Sequence, residues 1–431
     1  MENILILLVG GNPLPNYVVM DYLLGGERND SEVLPKPNRI ILVHSTDTSY
    51  LADVLKAKIK LDNTEKLDIE EAERDGMCIM KKISDKLNFH KNNLGIASLH
   101  LNYTGGTKPM AVFGCMAVDE FCRDNNINNK ILSDLDPDKF IIKVAHNRNG
   151  HSYPDIGNLL GKVNLSVKDI FELHNMKIEK EGSDSLTFSD DLLNFNDFVK
   201  EAVPKFDVNN LRTEWFDKVR NEIRGKWNKL KEFNFSSYEE NNKKYESITS
   251  EFPSLINFFE NDKFKESLGK KIGENFLEFF TGKWLEDYVL LTLKNLKEKN
   301  EISICDLQKG VEASNKGVRT EIDVIAMKGY QMFLFTCTTS QKIGLVKEKA
   351  FEGLYRAEQL GGEHAKVISV SLMSNRHTCE KDKDSNIETL KKDLSEFRAS
   401  KKCHCIGFDE ISGEINGKQT LSKKFKEIIE C

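Results

Sequence analysis

The chain has no apolar run long enough to cross a bilayer, and no basic lead precedes its first apolar residues; neither a membrane span nor a secretory leader is expected. Its nine cysteines are scattered, odd in number and without a C-x-x-C knuckle, which argues for reduced thiols in the cytoplasm and against a disulfide framework. His377-Thr378-Cys379 and Cys403-His404-Cys405 lack the paired spacing of a zinc site. Neither G-x-G-x-x-G nor G-x-x-x-x-G-K-[ST] occurs, so a dinucleotide or P-loop nucleotide site has little support. A surplus of positive charge is missing as well. There are 62 Lys and Arg against 68 Asp and Glu, a net charge of −6, which does not announce a nucleic-acid binder. Lysine-rich stretches at 226–231, 264–271 and 342–349 read first as solvated helix faces. No internal repeat is present.

What is there is a folded, multidomain composition. The 431 residues are too many for one ordinary domain, and 39% hydrophobic with 30% charged residues suits a globular chain. Apolar runs at 4–9, 39–44 and 96–103 alternate with helical spacing at 16–24, 48–60, 66–87 and from Met110 onward. That alternation predicts a parallel, doubly wound α/β sheet. Residues 131–144 predict a hairpin turning at Asp136-Pro137-Asp138, and 163–176 a strand leading into a helix. From 184 to 270 the chain turns polar, with aromatic residues at helical intervals, and reads as a helical connector with a floppy portion near 233–250. A second α/β unit begins near 272 with an amphipathic helix interrupted at Thr281-Gly282. Strand-like runs follow at 301–311, 320–330 and 331–340, with a hairpin turn at Lys328-Gly329-Tyr330. A helix at 345–360 and strands in "AKVISVSL" and "HCIGFDEI" complete the unit.

Three strand ends in the first sheet share one chemistry: Gly10-Gly11-Asn12, Ser45-Thr46-Asp47-Thr48 and Thr104-Gly105-Gly106-Thr107-Lys108. Ligands of open parallel sheets sit beyond the carboxyl ends of the strands. Glycines admit a ligand close to the backbone, hydroxyls donate and accept, and a following helix start offers free N–H groups. Together with the Lys108 charge these make a cradle for phosphate and ribose. A glycine turn is often only structural, and "TGGTK" alone stands evenly between the two readings; three polar ends in one sheet favour a ligand.

"NYTGGTKPMA" resembles the signature of the CARF domain, the CRISPR-associated Rossmann fold, and "ILLVGGNPLPN", "IILVHSTDT" and "VNLSVKDIFEL" fall in the expected places. The resemblance covers residues 1–178. It implies a homodimer that binds cyclic oligoadenylate, with the four-membered ring, cyclic tetra-adenylate, as the expected messenger. Contacts implied by position are Gly10, Gly11, Asn12, Thr46, Thr48, Thr104, Gly105, Gly106, Thr107 and Lys108.

In the second unit, "GKWLEDYVL" places Glu286 on a helix ahead of the sheet, and "TEIDVIAM" puts Glu321 and Asp323 two apart on a strand, hence on one face. Gathered carboxylates bind Mg²⁺ or Mn²⁺, and such a metal can orient water against a phosphodiester. Scattered acidic residues are more often surface decoration. The order helix-Glu, strand-Asp, turn, strand, helix resembles the restriction-endonuclease-like, PD-(D/E)xK fold of CARF-nuclease effectors of type III CRISPR systems over residues 272–410, with the pair Arg398-Ala399 in sequence. It implies Glu286 and Asp323 as metal ligands and Glu321 nearby. The family's third strand carries Glu-x-Lys, whereas this chain reads Thr336-Cys337-Thr338. Threonine supplies neither the carboxylate nor the ammonium. Lys342, Lys347 or Glu348 could stand in from the following segment, and Cys337 has no histidine partner nearby in sequence to act as a thiol nucleophile.

The expectation is a homodimeric cytoplasmic protein with a Rossmann-like CARF domain (1–178), a helical connector (179–271) and a restriction-endonuclease-like α/β domain (272–431). Its expected function is a metal-dependent nuclease, acting on single- or double-stranded nucleic acid and activated by cyclic tetra-adenylate. Glu286, Asp323, Glu321 and Lys342 are its candidate catalytic groups. The rival is a sensor that binds or sequesters the ring without cleavage. A transcription regulator stands behind both, because 184–270 shows no recognition helix.

Overall fold

The computed structural model describes residues 1–25, 34–59, 61–71, 74–145, 153–187, 192–205, 278–315, 317–340, 342–374, 387–397, 399 and 401–430. The lysine-rich stretches at 226–231 and 264–271, the floppy portion near 233–250, the start of the second unit near 272, the 377–379 cluster and Arg398 lie outside the described residues.

Two six-stranded sheets organise the chain. The first is built from β1 (Glu2–Leu8), β2 (Arg39–His44), β3 (Thr64–Asp68), β4 (Ile96–Asn102), β5 (Lys130–Asp136) and β6 (Ile141–Val144), with α1 (Leu14–Leu24), α2 (Ser49–Lys58), α3 (Gly76–Leu94) and α4 (Lys108–Asp124) between them. Its order is β3-β2-β1-β4-β5-β6, parallel except for the β5–β6 hairpin. Strand β1 is apolar on both faces because both are covered: Leu5 and Leu7 pack with Val18 and Leu23, while Ile4, Ile6 and Leu8 pack with Ile79, Ile83 and Met110.

Two local expectations fail here. Residues 66–87 are not one helix: the half-polar edge strand β3 comes first and α3 begins only at Gly76, capped by Asp75, whose carboxylate accepts from Cys78 N. Residues 163–166 form no strand, because Ser166 and Asp169 close a capping box that starts α5 (Val167–Leu173).

His100 of β4 is buried and its Nε2 lies 2.7 Å from Ser133 Oγ. Burial pushes its imidazole down from 6.5 to about 3. The unfolded chain therefore takes up a proton that the folded chain refuses. Stability contributed by the neutral ring is complete above pH 6.5 and is lost as pH falls towards about 3, by about 1.4 kcal/mol per pH unit. His100→Gln is expected to flatten the fall of melting temperature across that window; identical slopes for the two chains would show that the ring does not resist protonation.

The second sheet runs β12-β11-β10-β9-β8-β7, from β7 (Lys177–Lys180), β8 (Asp306–Asn315), β9 (Val318–Lys328), β10 (Gln331–Thr338), β11 (Lys366–Ser371) and β12 (Cys403–Ile406). The first four form an antiparallel meander, and β10, β11 and β12 are parallel. Strand β7 straddles the sequence position expected as a domain boundary and belongs to this second sheet. On one face lie α6 (Leu192–Lys205), α7 (Trp284–Glu298), α10 (Phe408–Ile415) and α11 (Thr420–Glu430), packed on Val324, Phe333 and Phe335. On the other lies α8 (Ile343–Gly361), with Val346, Ala350 and Ala357 against Met332 and Leu334. Helix α9 (Ile387–Glu396) leads into β12. "HCIGFDEI" is strand only to Ile406, after which Gly407 begins α10. The break read at Thr281-Gly282 is a π-helical turn, Phe279–Lys283, just ahead of α7.

One hydrophobic cluster runs unbroken from Leu5, Leu7 and Leu42 to Tyr330, Leu334 and Val346, so the two units share a core. The β9–β10 turn needs Gly329, which has φ +59° and would drive a Cβ into the backbone of Leu160. At the end of α8, His364 Nδ1 donates to Pro137 O at 2.7 Å, and its ring stacks near Phe140 and Tyr330. No helix among the described residues is long and apolar enough to cross a membrane.

Candidate functional site

The strand order places the loops after β1 and β4 side by side, leaving in opposite directions, which is the switch point where open α/β sheets bind ligands. Glycine is required there by contact rather than by convention. A Cβ on Gly10 would sit 2.8 Å from Gly106 N, and one on Gly105 would overlap the Leu8 carbonyl oxygen and crowd Asn16 Oδ1. Gly106 has φ +76°. Fully buried Asn16 braces this seam, its Nδ2 donating to Leu8 O at 3.0 Å. Sequence reasoning missed Asn16; its only signal was an amide on the apolar face of a helix.

Several expected ligand groups are occupied in shaping the loops. Asn12 Oδ1 accepts from Leu14 N at 2.9 Å, Thr104 Oγ1 accepts from Leu135 N at 2.6 Å, and Thr48 Oγ1 accepts from Ser45 N at 3.1 Å. Thr107 caps α4 by accepting from Met110 N at 3.4 Å. Gly11, Thr46, Thr107 and Lys108 are exposed, at one edge of the seam. The structure thus brings the β1 and β4 loops into one surface, with the β2 loop next along the sheet.

The second centre forms where β9 and β10 stop pairing. Their last partners are Val324 and Phe335, and beyond them Asp323 Oδ2 accepts from Cys337 N at 2.7 Å. Glu286, in the first turn of α7, faces the same place. Burial first, and the Asp323 charge next, hold its carboxyl well above the ordinary carboxylate range. Glu321 is exposed on β9 and lines, with Glu286, Lys180, Lys283 and Lys309, a cavity of about 290 Å³. Next to Glu286, the fully buried Asp287 accepts from Lys309 Nζ and from Thr187 N, the latter at 3.2 Å. Nothing in the sequence distinguished Asp287 from a surface acid.

A buried carboxyl with a second carboxylate close by suits a hard divalent cation in charge and donor type. Among the described residues no group of three or more His, Cys, Asp or Glu side chains is gathered to hold a metal. Glu286 and Asp323 are the residues at this centre that could hold such a cation. Of the segment after β10, Lys342 is exposed at the N-cap of α8, Lys347 pairs with Asp393 at 2.8 Å, and Glu348 is exposed. Lys349, which sequence reasoning passed over, donates to Cys337 O at 3.0 Å and lies 3.7 Å from Asp323 Oδ2. Cys337 is buried, and burial raises its thiol well above the ordinary range, the opposite of an activated nucleophile.

Residues 273–400 match the family model of the Card1-like endonuclease domain. This Card1-like stretch contains Glu286, Asp323, the Thr-Cys-Thr strand and all of α8. Among solved structures, protein VC1899 from Vibrio cholerae is 15% identical, with 99% of this chain and 98% of that one aligned at a TM-score of 0.58. Can2 from Sulfobacillus thermosulfidooxidans, solved in complex with cyclic tetra-adenylate, is 16% identical, with 98% and 96% aligned at a TM-score of 0.53. No curated protein sequence matches the chain. The mixed α/β fold, a mostly parallel sheet followed by a second α/β unit, is thus the fold shared with these two structures along nearly their whole length.

Proposed function

We propose that the chain is a nuclease effector of type III CRISPR defence, switched on by a cyclic oligoadenylate, with cyclic tetra-adenylate as the expected ring. The observation that carries this reading is the meeting of Glu286 and Asp323 at the open end of the β9–β10 pair, inside the stretch that matches the Card1-like endonuclease domain. That stretch follows a sheet whose switch point is closed by glycine contacts and edged by Lys108. The ring would lie across the β1, β2 and β4 loops. Its phosphates would meet backbone N–H groups at the start of α4 and the Lys108 ammonium.

Glu286 and Asp323 would hold a divalent cation, which would supply Lewis-acid activation of water and of the phosphodiester. Among the chain's own residues, the Cys337 N–H fixes the Asp323 carboxylate, and Lys283 and Lys309, each paired with an acidic neighbour, line the cavity beside Glu286 and Glu321. RNA and DNA both present the required phosphodiester. A second copy suits the exposed apolar side chains Met77 of α3 and Val112 and Met116 of α4, at 72%, 56% and 43% exposure. Pairing there would bring two ligand loops to one symmetric ring.

The test is incubation of the purified chain with cyclic tetra-adenylate, Mn²⁺ and labelled single-stranded RNA, single-stranded DNA or supercoiled plasmid. Ring-dependent cleavage is expected; ring binding without cleavage under any divalent metal would leave the sensor reading. One observation favours that rival: Thr336 stands in place of a carboxylate, and its Oγ1 is buried without a partner. Separately, Lys108→Ala is expected to weaken ring binding about tenfold by calorimetry, the worth of one charge-assisted contact. Unchanged affinity would take Lys108 out of the site.

A further inference from the structure

The cleavage chemistry needs a cation beside the scissile phosphate that is not a metal, and β10 has none. When water's oxygen bonds to phosphorus, the P–O bond to the departing nucleotide breaks. Its electron pair leaves on that oxygen, which takes a proton, and the water gives one up. Through this step the non-bridging oxygens carry more negative charge than in the ground state, so a fixed ammonium there is worth a hundred- to thousand-fold in rate. Thr336 and Thr338 carry no charge.

The three lysines that line the cavity with Glu286 and Glu321 are engaged elsewhere: Lys309 is largely buried against Asp287, Lys283 pairs with Glu278 at 3.0 Å, and Lys180 pairs with Glu312 at 3.2 Å. On α8 itself, Lys347 pairs with Asp393 at 2.8 Å. Lys349 differs. Its Nζ spends one donor on Cys337 O at 3.0 Å and stands 3.7 Å from Asp323 Oδ2, yet the side chain is 45% exposed. An ammonium has three donors, so two remain for an incoming phosphate.

The packing of α8 explains how a helix lysine reaches a strand end. Val346, Ala350, Gly353 and Ala357 form its buried stripe. At Gly353 a Cβ would come within 2.8 Å of Thr336 Cγ2. The missing side chain on the helix and the short one on the strand let the backbones approach at the point where Glu-x-Lys would have projected. Lys349, one turn before Gly353, is carried over the strand by that approach.

Resting on the nuclease reading, we propose that Lys349 of α8 supplies the phosphate-contacting charge of this cleavage site, a lysine relocated from strand to helix, with Thr336 and Gly353 as the small pair that admits it. Thr338 lies on the same face of β10 as Thr336, so a lysine placed there would reach the space that Nζ of Lys349 occupies.

The experiment compares the full-length chain, Lys349→Ala, and Lys349→Ala combined with Thr338→Lys, using cyclic tetra-adenylate, Mn²⁺ and labelled single-stranded RNA, single-stranded DNA or plasmid. Melting temperature and ring affinity are measured in parallel. Lys349→Ala should lose at least about a hundredfold in kcat with KM changed little, and keep its melting temperature and ring affinity. Adding Thr338→Lys should restore about tenfold or more, a recovery that a merely structural lysine would not show. Cleavage by Lys349→Ala within about threefold of the unaltered chain, or a loss that Thr338→Lys does not recover, overturns the proposal. An unaltered chain that binds the ring and cuts none of the substrates overturns the nuclease reading itself, and the lysine's role with it.

Discussion

Asp323→Asn should lower ring-activated cleavage at least about a hundredfold while leaving ring binding unchanged. The substitution is chosen for what it keeps. Asp323 Oδ2 accepts from Cys337 N at 2.7 Å, and asparagine can still accept there, so the strand junction stays formed. What disappears is the charge that would pair with Glu286 in holding a cation and that lies 3.7 Å from Lys349 Nζ. Calorimetric titration with Mn²⁺ should lose its heat in the same variant. A chain that cuts as well as before would remove Asp323 from the centre, and a chain that also loses the ring would point to misfolding instead.

The other large effect is expected at the sensing surface. Gly105→Val should abolish ring binding and cost about 3 kcal/mol of stability or more, because its side chain must displace the Leu8 carbonyl and the buried Asn16 amide. Gly11→Ala is the matched control, since nothing stands within 4 Å of a Cβ at Gly11. It should melt like the parent chain yet bind the ring more weakly if the ligand lies against that backbone. Thermal melting with and without cyclic tetra-adenylate reads both effects. Retention of ring binding by Gly105→Val would contradict the placement of the ligand over the β1–β4 seam.

How far the sequence carries the fold depends on burial. Strands β1, β2, β4 and β10 are buried on both faces, so their apolar runs stood out in isolation. Strand β3, Thr-Glu-Lys-Leu-Asp at a sheet edge, has no such run; its pairing to β2 makes it a strand, and pairing is not a local property. The same holds at Val163 and Leu165, which are apolar because the second unit covers them, Leu165 N donating to Gly329 O at 3.0 Å.

At the sites, residue type was legible and commitment was not. Asn12, Thr48 and Thr104 were read as ligand contacts, and only the folded chain shows that their oxygens already accept backbone N–H groups. Lys349 escaped because its reach depends on how closely α8 settles on β10. Gly353 and Thr336, 17 positions apart in the chain, set that distance jointly.

Helix α8 has one further property. Its 19 residues span about 28 Å, with Lys349 in the second turn and the Gly362–His364 turn directly after its last residue. That far end leans on the first unit: a Cβ at Gly362 would run into the Asn12 amide, and His364 is held by Pro137. A rigid rod gripped in this way would serve as a lever arm. A tilt of about 5° at the Asn12 end would carry Lys349, about 18 Å along the axis, by roughly 1.6 Å. A sway of that size would loosen the grip of one ammonium on a strand carbonyl.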